Sequence, residues 1–230
     1  MPPHLFVRDI ADPEIVGDDL HHADRVLRLR NGERVTVGDG AGNWRQCAWR
    51  IGGRPEPDPD IHHDPRPTPS LAVGFALTKG DKPSVVVQKL TECGVDRIVP
   101  LIAERSIVRW DTAKAGAAVQ RWKRVAREAA MQSHRTWLPA IEEIADFRTV
   151  INGEPAALAH MGGAALASTH TCILIGPEGG WTEAELDGAA TVRLGSQVLR
   201  ADTAAVAAGV LLNALRDRIV QPPLPTNSQA

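Results

Sequence analysis

Hydrophobic and polar positions follow two different rhythms along this chain, and the change falls near residue 70. Before it the period is two. Arg34, Val35, Thr36 and Val37 lead into the turn-forming run 38–43, after which Cys47, Trp49 and Ile51 alternate against Gln46, Ala48 and Arg50. That pattern predicts a β-hairpin, and no helix longer than a few turns is indicated around it. Pro55, Pro57, Pro59, Pro65, Pro67 and Pro69 then mark a loop or linker that cannot sit in a central strand. From residue 71 onward short apolar runs alternate with helical periodicity. Strands are expected at 71–77, 97–102, 156–159 and 171–175, with helices at 84–93, ended by Gly94, and at 115–133. The expectation is a small β-barrel domain over residues 1–70 followed by a parallel sheet covered by helices over 71–230.

The run 171–175 is short, β-branched and uncharged, as expected of a strand buried on both faces. It breaks into Gly176-Pro177-Glu178-Gly179-Gly180-Trp181, and Thr182 with Glu185 then forms a capping box for a following helix. Three glycines and a proline shape the turn and strip it of bulk, so that a ligand can approach main-chain N–H and C=O groups closely. A plain strand-to-helix turn is the alternative. The same grammar returns in Val192-Arg193-Leu194-Gly195-Ser196-Gln197-Val198-Leu199-Arg200-Ala201-Asp202-Thr203-Ala204. There Asp202 or Thr203 is positioned to cap a long helix that ends before Pro222-Pro223. Val206, Val210 and Ala214 form one stripe of that helix beside Ala207, Leu211 and Leu215. Its small residues suit close packing, either within the chain or against a second copy.

Composition narrows the class. The 230 residues are 43% hydrophobic and 23% charged, the values of an ordinary soluble protein, without an 18-residue apolar run or a signal peptide. A cytoplasmic location and no membrane are expected. Cys47, Cys93 and Cys172 are far apart and lack any C-x-x-C spacing, which disfavours a disulfide framework or zinc site. His21-His22 and His62-His63-Asp64 likewise lack ligand spacing, so no metal is expected. The net charge of −2 is unevenly spread: residues 71–150 carry 13 Lys and Arg against 9 Asp and Glu. The surplus sits on the helix near 121–127, where Arg121, Lys123, Arg124 and Arg127 oppose Trp122, Val125, Ala126 and Ala129. Such a face is either solvated or a phosphate platform.

Gly176-Pro177-Glu178-Gly179-Gly180-Trp181, then Leu194-Gly195 and Leu199-Arg200-x-x-Thr203-Ala204, resemble the SPOUT class of S-adenosylmethionine-dependent RNA methyltransferases. Within it the chain resembles the ribosomal RNA small subunit methyltransferase E family, over nearly its whole length. Lys79-Gly80, Gln88-Lys89-x-x-Glu92-x-Gly94-Val95, Glu104-Arg105-Ser106, and Arg121-Trp122 through Glu128-Ala129-x-x-Gln132-Ser133-x-Arg135 carry the match upstream. Two positions depart from it: Met131 stands where glutamate is usual, and Asp202 where the family has glutamate.

The resemblance implies methylation of uridine N3 in 16S rRNA, with free rRNA or the small ribosomal subunit as substrate. It also implies a C-terminal domain with a trefoil knot, a homodimer, and a PUA-like RNA-binding domain at the N-terminus. Cofactor-binding residues would be His160, Gly176, Pro177, Glu178, Gly179, Gly180, Leu194, Gly195, Val198, Leu199 and Thr203. RNA contacts would fall to Arg8, Arg25, Arg28, Arg30, Arg121, Arg124 and Arg135. The residue types suit the cofactor, a sulfonium without phosphate. No lysine follows Lys123, and neither a G-x-x-x-x-G-K-[ST] nor a G-x-G-x-x-G pattern occurs. Uracil N3 must lose its proton, leaving charge on O2 and O4 that a guanidinium would stabilise. Arg200 is the candidate for that role, unless it is tied up by Asp202 or Glu178, the candidates to accept the proton. A SPOUT enzyme acting on another RNA position, or a non-catalytic ribosome-assembly factor, are the competing expectations.

Overall fold

A computed structural model describes residues 1–220, so the expected stop at Pro222-Pro223 lies outside the described residues. The chain forms two compact units. Met1–Pro67 is joined by Ala126–Leu138 in the first; Thr68–Val125 and the chain from Pro139 onward form the second. The expected division at residue 70 places Ala126–Leu138 with the later part of the chain, whereas here that segment groups with the first unit.

In the first unit, β1 (His4–Phe6) pairs in parallel with β2 (Arg34–Gly38), which runs antiparallel to β3 (Asn43–Ala48). Between β1 and β2 lies α1 (Gly17–His21), which passes straight into a single π-helical turn, His22–Val26. The expected hairpin is β2 and β3. The proline-rich stretch supplies only two-residue strands, β4 (Glu56–Pro57) and β5 (His62–His63), both on β3, as residues unable to donate to a continuing ladder require. Cys47 and Trp49 are buried as the alternation predicts, but Ile51 is exposed because β3 ends at Ala48 and the chain turns at once. Phe6, Val35, Val37 and Trp49 share a core with Ala130 and Met131. Asp64 fastens the proline-rich segment: its carboxylate accepts from Trp44 Nε1 at 3.1 Å and Thr136 Oγ1 at 2.9 Å, and its carbonyl from Trp137 Nε1 at 2.9 Å.

From residue 72 strand and helix alternate: β6 (Ala72–Ala76), α2 (Lys82–Glu92), β7 (Arg97–Ile102), α3 (Thr112–Gln132, whose residues from Ala126 belong to the first unit), β8 (Ala140–Ile141), β9 (Ala145–Asp146) and α4 (Phe147–Gly153). The chain continues with β10 (Ala157–Ala165), β11 (Cys172–Ile175), α5 (Glu183–Leu186), β12 (Ala190–Arg193) and α6 (Ala201–Arg216). The sheet order is β12-β10-β11-β6-β7-β8, with β9 also on β7, and every pairing is parallel. β11 lies inside it, and all four of its residues are buried, which explains its lack of polar alternation.

Two expectations about α6 change. Arg200, not Asp202 or Thr203, is its N-cap, and no side chain caps it. The buried face is Ala204, Ala205, Ala208, Gly209 and Leu212; Val210 is exposed and Val206 half-buried. Gly209 selects that face, because a Cβ there would lie 2.9 Å from Leu90 of α2. The helix end is fixed by a buried ion pair, Arg216 Nη1 to Asp96 Oδ2 at 2.6 Å, with Arg216 Nη2 donating to the Gly94 carbonyl.

Candidate active site

The ends of β10, β11 and β12 open into three loops that wall a cleft of about 410 Å³, at the carboxyl edge where open α/β sheets place ligands. Each wall has a local cause. After β11, Pro177 to Gly180 closes a tight turn, the Gly180 amide donating to the Pro177 carbonyl at 2.8 Å. Gly180 takes φ +71°, which a side chain disfavours. Trp181 then folds back under the turn. Its indole is buried, donates to the Ala159 carbonyl at 3.1 Å, and lies so close to Gly176 that a Cβ there would meet the ring at 3.0 Å. The capping box of Thr182 and Glu185 starts α5 as expected, although that helix is a single turn.

A second layer holds this loop in place. Arg105 Nη1 donates to the carbonyls of Gly179 at 2.9 Å and Trp181 at 3.1 Å. Glu104 accepts from Thr182 Oγ1 at 2.9 Å, while its amide donates to the buried Glu185 carboxylate at 2.9 Å. Ser106 Oγ accepts from the Ala103 amide. The Glu104-Arg105-Ser106 triplet is therefore the clasp on the glycine loop.

The third wall is a break in the sheet. The pairing of β10 with β12 shifts between Ala159 and Ala164, so both residues face Val192 and the four between them leave the ladder. His160 and Met161 line the cleft from this excursion. His160 Nδ1 accepts from the Gly162 amide at 3.2 Å, which braces the loop.

Of the residues expected to hold the cofactor, His160, Gly176, Pro177, Glu178, Gly180, Leu194, Gly195, Val198 and Leu199 line the cleft, as does Arg200. Two do not. Gly179 turns toward Arg105, and Thr203 lies in the first turn of α6 with its amide bonded to Asp202. Sequence reasoning missed Ala159, Met161, Ile175, Trp181, Gln197, Ala201 and Ala204 as lining residues. Trp181 and Ala204 stood inside the motifs themselves; Met161 and Gln197 carried no separate signal. The only acid in the lining is Glu178, drawn toward Lys82 at 3.4 Å, and the only arginine is Arg200. Neither Asp202 nor Glu178 pairs with Arg200, and among the described residues its guanidinium has no ion pair.

None of the three cysteines lines the cleft. Burial pushes the Cys172 thiol up to about 12 and Cys47 up to about 11, and Cys93 is raised by the same cause. Among the described residues no group of three or more His, Cys, Asp or Glu could hold a metal ion, and no helix is long and apolar enough to cross a membrane.

The expected RNA-contacting arginines separate. Arg8, Arg25, Arg28 and Arg30 are exposed in the first unit, where Arg135 is half-buried. Arg124 is exposed in the second, while Arg121 pairs with Asp81 at 2.8 Å and bonds Ser84. Arg127, counted on the basic face, bonds Asp19 at 2.6 Å and the Phe6 carbonyl at 2.9 Å. It is a structural residue of the first unit.

Residues 65–213 match the model of the RNA methyltransferase domain and residues 15–48 that of the RNA methyltransferase PUA domain. Ribosomal RNA small subunit methyltransferase E of Mycobacterium bovis is 32% identical over 215 residues, covering 84% of this chain and 82% of that protein. The enzyme of the same name from Bacillus subtilis is 28% identical, covering 83% and 85%. A crystal structure of ribosomal RNA small subunit methyltransferase E from Neisseria gonorrhoeae, bound to S-adenosyl methionine, superposes with a TM-score of 0.77 at 24% identity, covering 94% of this chain and 98% of that one. The parallel sheet, the glycine-loop cleft and the PUA-like first unit thus carry a known signature, and the chain belongs to the ribosomal RNA small subunit methyltransferase E family.

Proposed function

We propose that this protein transfers the methyl group of S-adenosylmethionine to N3 of a uridine in 16S rRNA, within or on the way to the small ribosomal subunit. The observation that carries the reading is the pairing of a lysine-free, glycine-walled cleft with one guanidinium, Arg200, that no carboxylate neutralises. Backbone groups and apolar walls suit adenine and a sulfonium cation, whereas a phosphate ligand would call for a cationic clamp. Arg200 stands at the start of α6 and faces the cleft, where it stabilises the charge that develops on the uracil oxygens as N3 loses its proton. Glu178 is the acid within the cleft suited to accept that proton. Binding both substrates in line supplies a further share of the rate.

The protein works in the cytoplasm as a homodimer, with a trefoil knot in its C-terminal part. β12 lies at the sheet edge, and α6 after it packs on α2, β6 and β11. That return of the chain from the sheet edge toward its interior supports the reading. Small ribosomal subunits from cells lacking the modification, incubated with labelled S-adenosylmethionine and analysed as nucleosides, should yield 3-methyluridine. Label in another nucleoside would move the target; cofactor binding without label would leave a non-catalytic assembly factor.

A further inference from the structure

The motif Glu128-Ala129-x-x-Gln132-Ser133-x-Arg135 has no part in the cleft, and the structure gives part of it another place. Glu128 and Gln132, one helical turn apart on α3, line a second pocket of about 590 Å³ that lies wholly within the first unit. Neither side chain makes a hydrogen bond or ion pair among the described residues, and both are exposed. Ser133, by contrast, is spent on the helix end, its hydroxyl donating to the Ala129 carbonyl at 2.7 Å.

The rest of the lining sets an apolar patch of Leu5, Val26, Leu27 and Met131 beside Asp18, Asp19 and the histidines. Leu5 and Met131 form a buried floor, and Val26 and Leu27 a wall in which Val26 is 63% exposed. Met131 brings no charge to that floor. Asp19 in the lining is paired with Arg127, while Asp18 beside it is exposed to solvent. His4, also in the lining, is kept neutral because burial pushes its pKa down to about 4. Arg25 and Arg28 are exposed on the segment that carries Val26 and Leu27.

The backbone around the pocket is unusual on both sides. His22–Val26 is the π turn, Arg28 has φ +53°, and His134 on the opposite segment has φ +56°. Such features cost free energy and gather at functional sites.

We propose that this pocket receives one unpaired base of the RNA, a guanine, stacked on the Val26 and Leu27 wall, with Arg25 and Arg28 on the flanking phosphates. Proteins read single-stranded RNA by splaying bases out and bonding their Watson–Crick edges. Guanine alone among the four bases offers two adjacent donors, N1–H and N2–H, for the Glu128 carboxylate and an acceptor, O6, for the Gln132 amide. The inference rests on the RNA substrate proposed above and adds a recognition site remote in sequence from the cleft loops.

The test uses the full chain and a uridine-rich single-stranded RNA oligonucleotide carrying one central G, A, C or U, with the same sequence as a duplex for comparison. Fluorescence anisotropy should show the G probe bound about tenfold more tightly than the others, the effect of one stacked and paired base. Glu128→Gln and Gln132→Ala should each remove that preference, and Val26→Ser should weaken all single-stranded probes. Cofactor affinity should stay unchanged in all three. Equal binding of the four probes, or a G preference that survives both polar substitutions, overturns the pocket. Methyl transfer to small subunits separates the two readings: wild-type transfer together with unchanged variants sinks the pocket alone, whereas absent transfer sinks the proposed function.

Discussion

The cleft and the pocket of the first unit are built by opposite strategies. Every wall of the cleft follows directly from a strand that ends, turns and starts again within about forty-five residues, and glycine positions set its shape. The pocket is gathered from residues 3–5, 18–27 and 128–134, and side chains set its shape. A backbone-lined site fixes geometry and leaves chemistry to one or two groups; a side-chain-lined site fixes identity. The division suits a cleft for an invariant cofactor and a pocket for a chosen base.

Substitutions can break this contrast, and the largest effect belongs to Arg200→Ala. It should lower methyl transfer by at least about a hundredfold, the scale of a lost transition-state donor, with cofactor affinity within a few fold by calorimetry. Equal losses in both would make Arg200 a cofactor or folding residue. Next comes Gly195→Val. A Cβ at Gly195 meets nothing within 4 Å, so the valine should leave the fold intact and fill the cleft, reducing cofactor affinity by about tenfold or more. Unchanged binding would reject the placement of the site. Arg105→Ala should raise the KM for the cofactor several fold, since two carbonyls of the glycine loop lose their donor. Steady-state kinetics measures it.

A dependence on pH sharpens the other side of the comparison. His4 has its ordinary value of 6.5 lowered to about 4 by burial. The folded state therefore binds fewer protons than the unfolded one. Stability is full above pH 6.5 and falls by about 1.4 kcal/mol per unit as the pH drops toward 4. Denaturant melts of the protein and of His4→Gln across that window should show the slope in the former and its reduction in the latter.

Local signals were legible in the sequence, and long-range pairings were not. The glycine loop, its capping box, the exact span of β7 and the hairpin of β2 and β3 each follow from neighbours in the chain. The buried face of α6 was misread because alanines dominate both faces, and the choice is made by Gly209 against Leu90. Arg127 looked like part of a phosphate face because its partner Asp19 is 108 residues away. Gly179 and Thr203 were swept in by motif membership, although only neighbouring motif residues reach the cleft. Met161 enters through a register shift that no apolar pattern announces.

That register shift has a consequence for the variability of the enzyme. Ala159 and Ala164 both pair with Val192, so the sheet reads the same before and after the excursion. The side chains at His160 and Met161 can change without breaking that pairing, whereas Gly163 in the same excursion cannot, since a Cβ there would lie 2.6 Å from the Val192 backbone. Substitutions at His160 and Met161 therefore recut the pocket while the pairing of β10 with β12 stays in register on both sides.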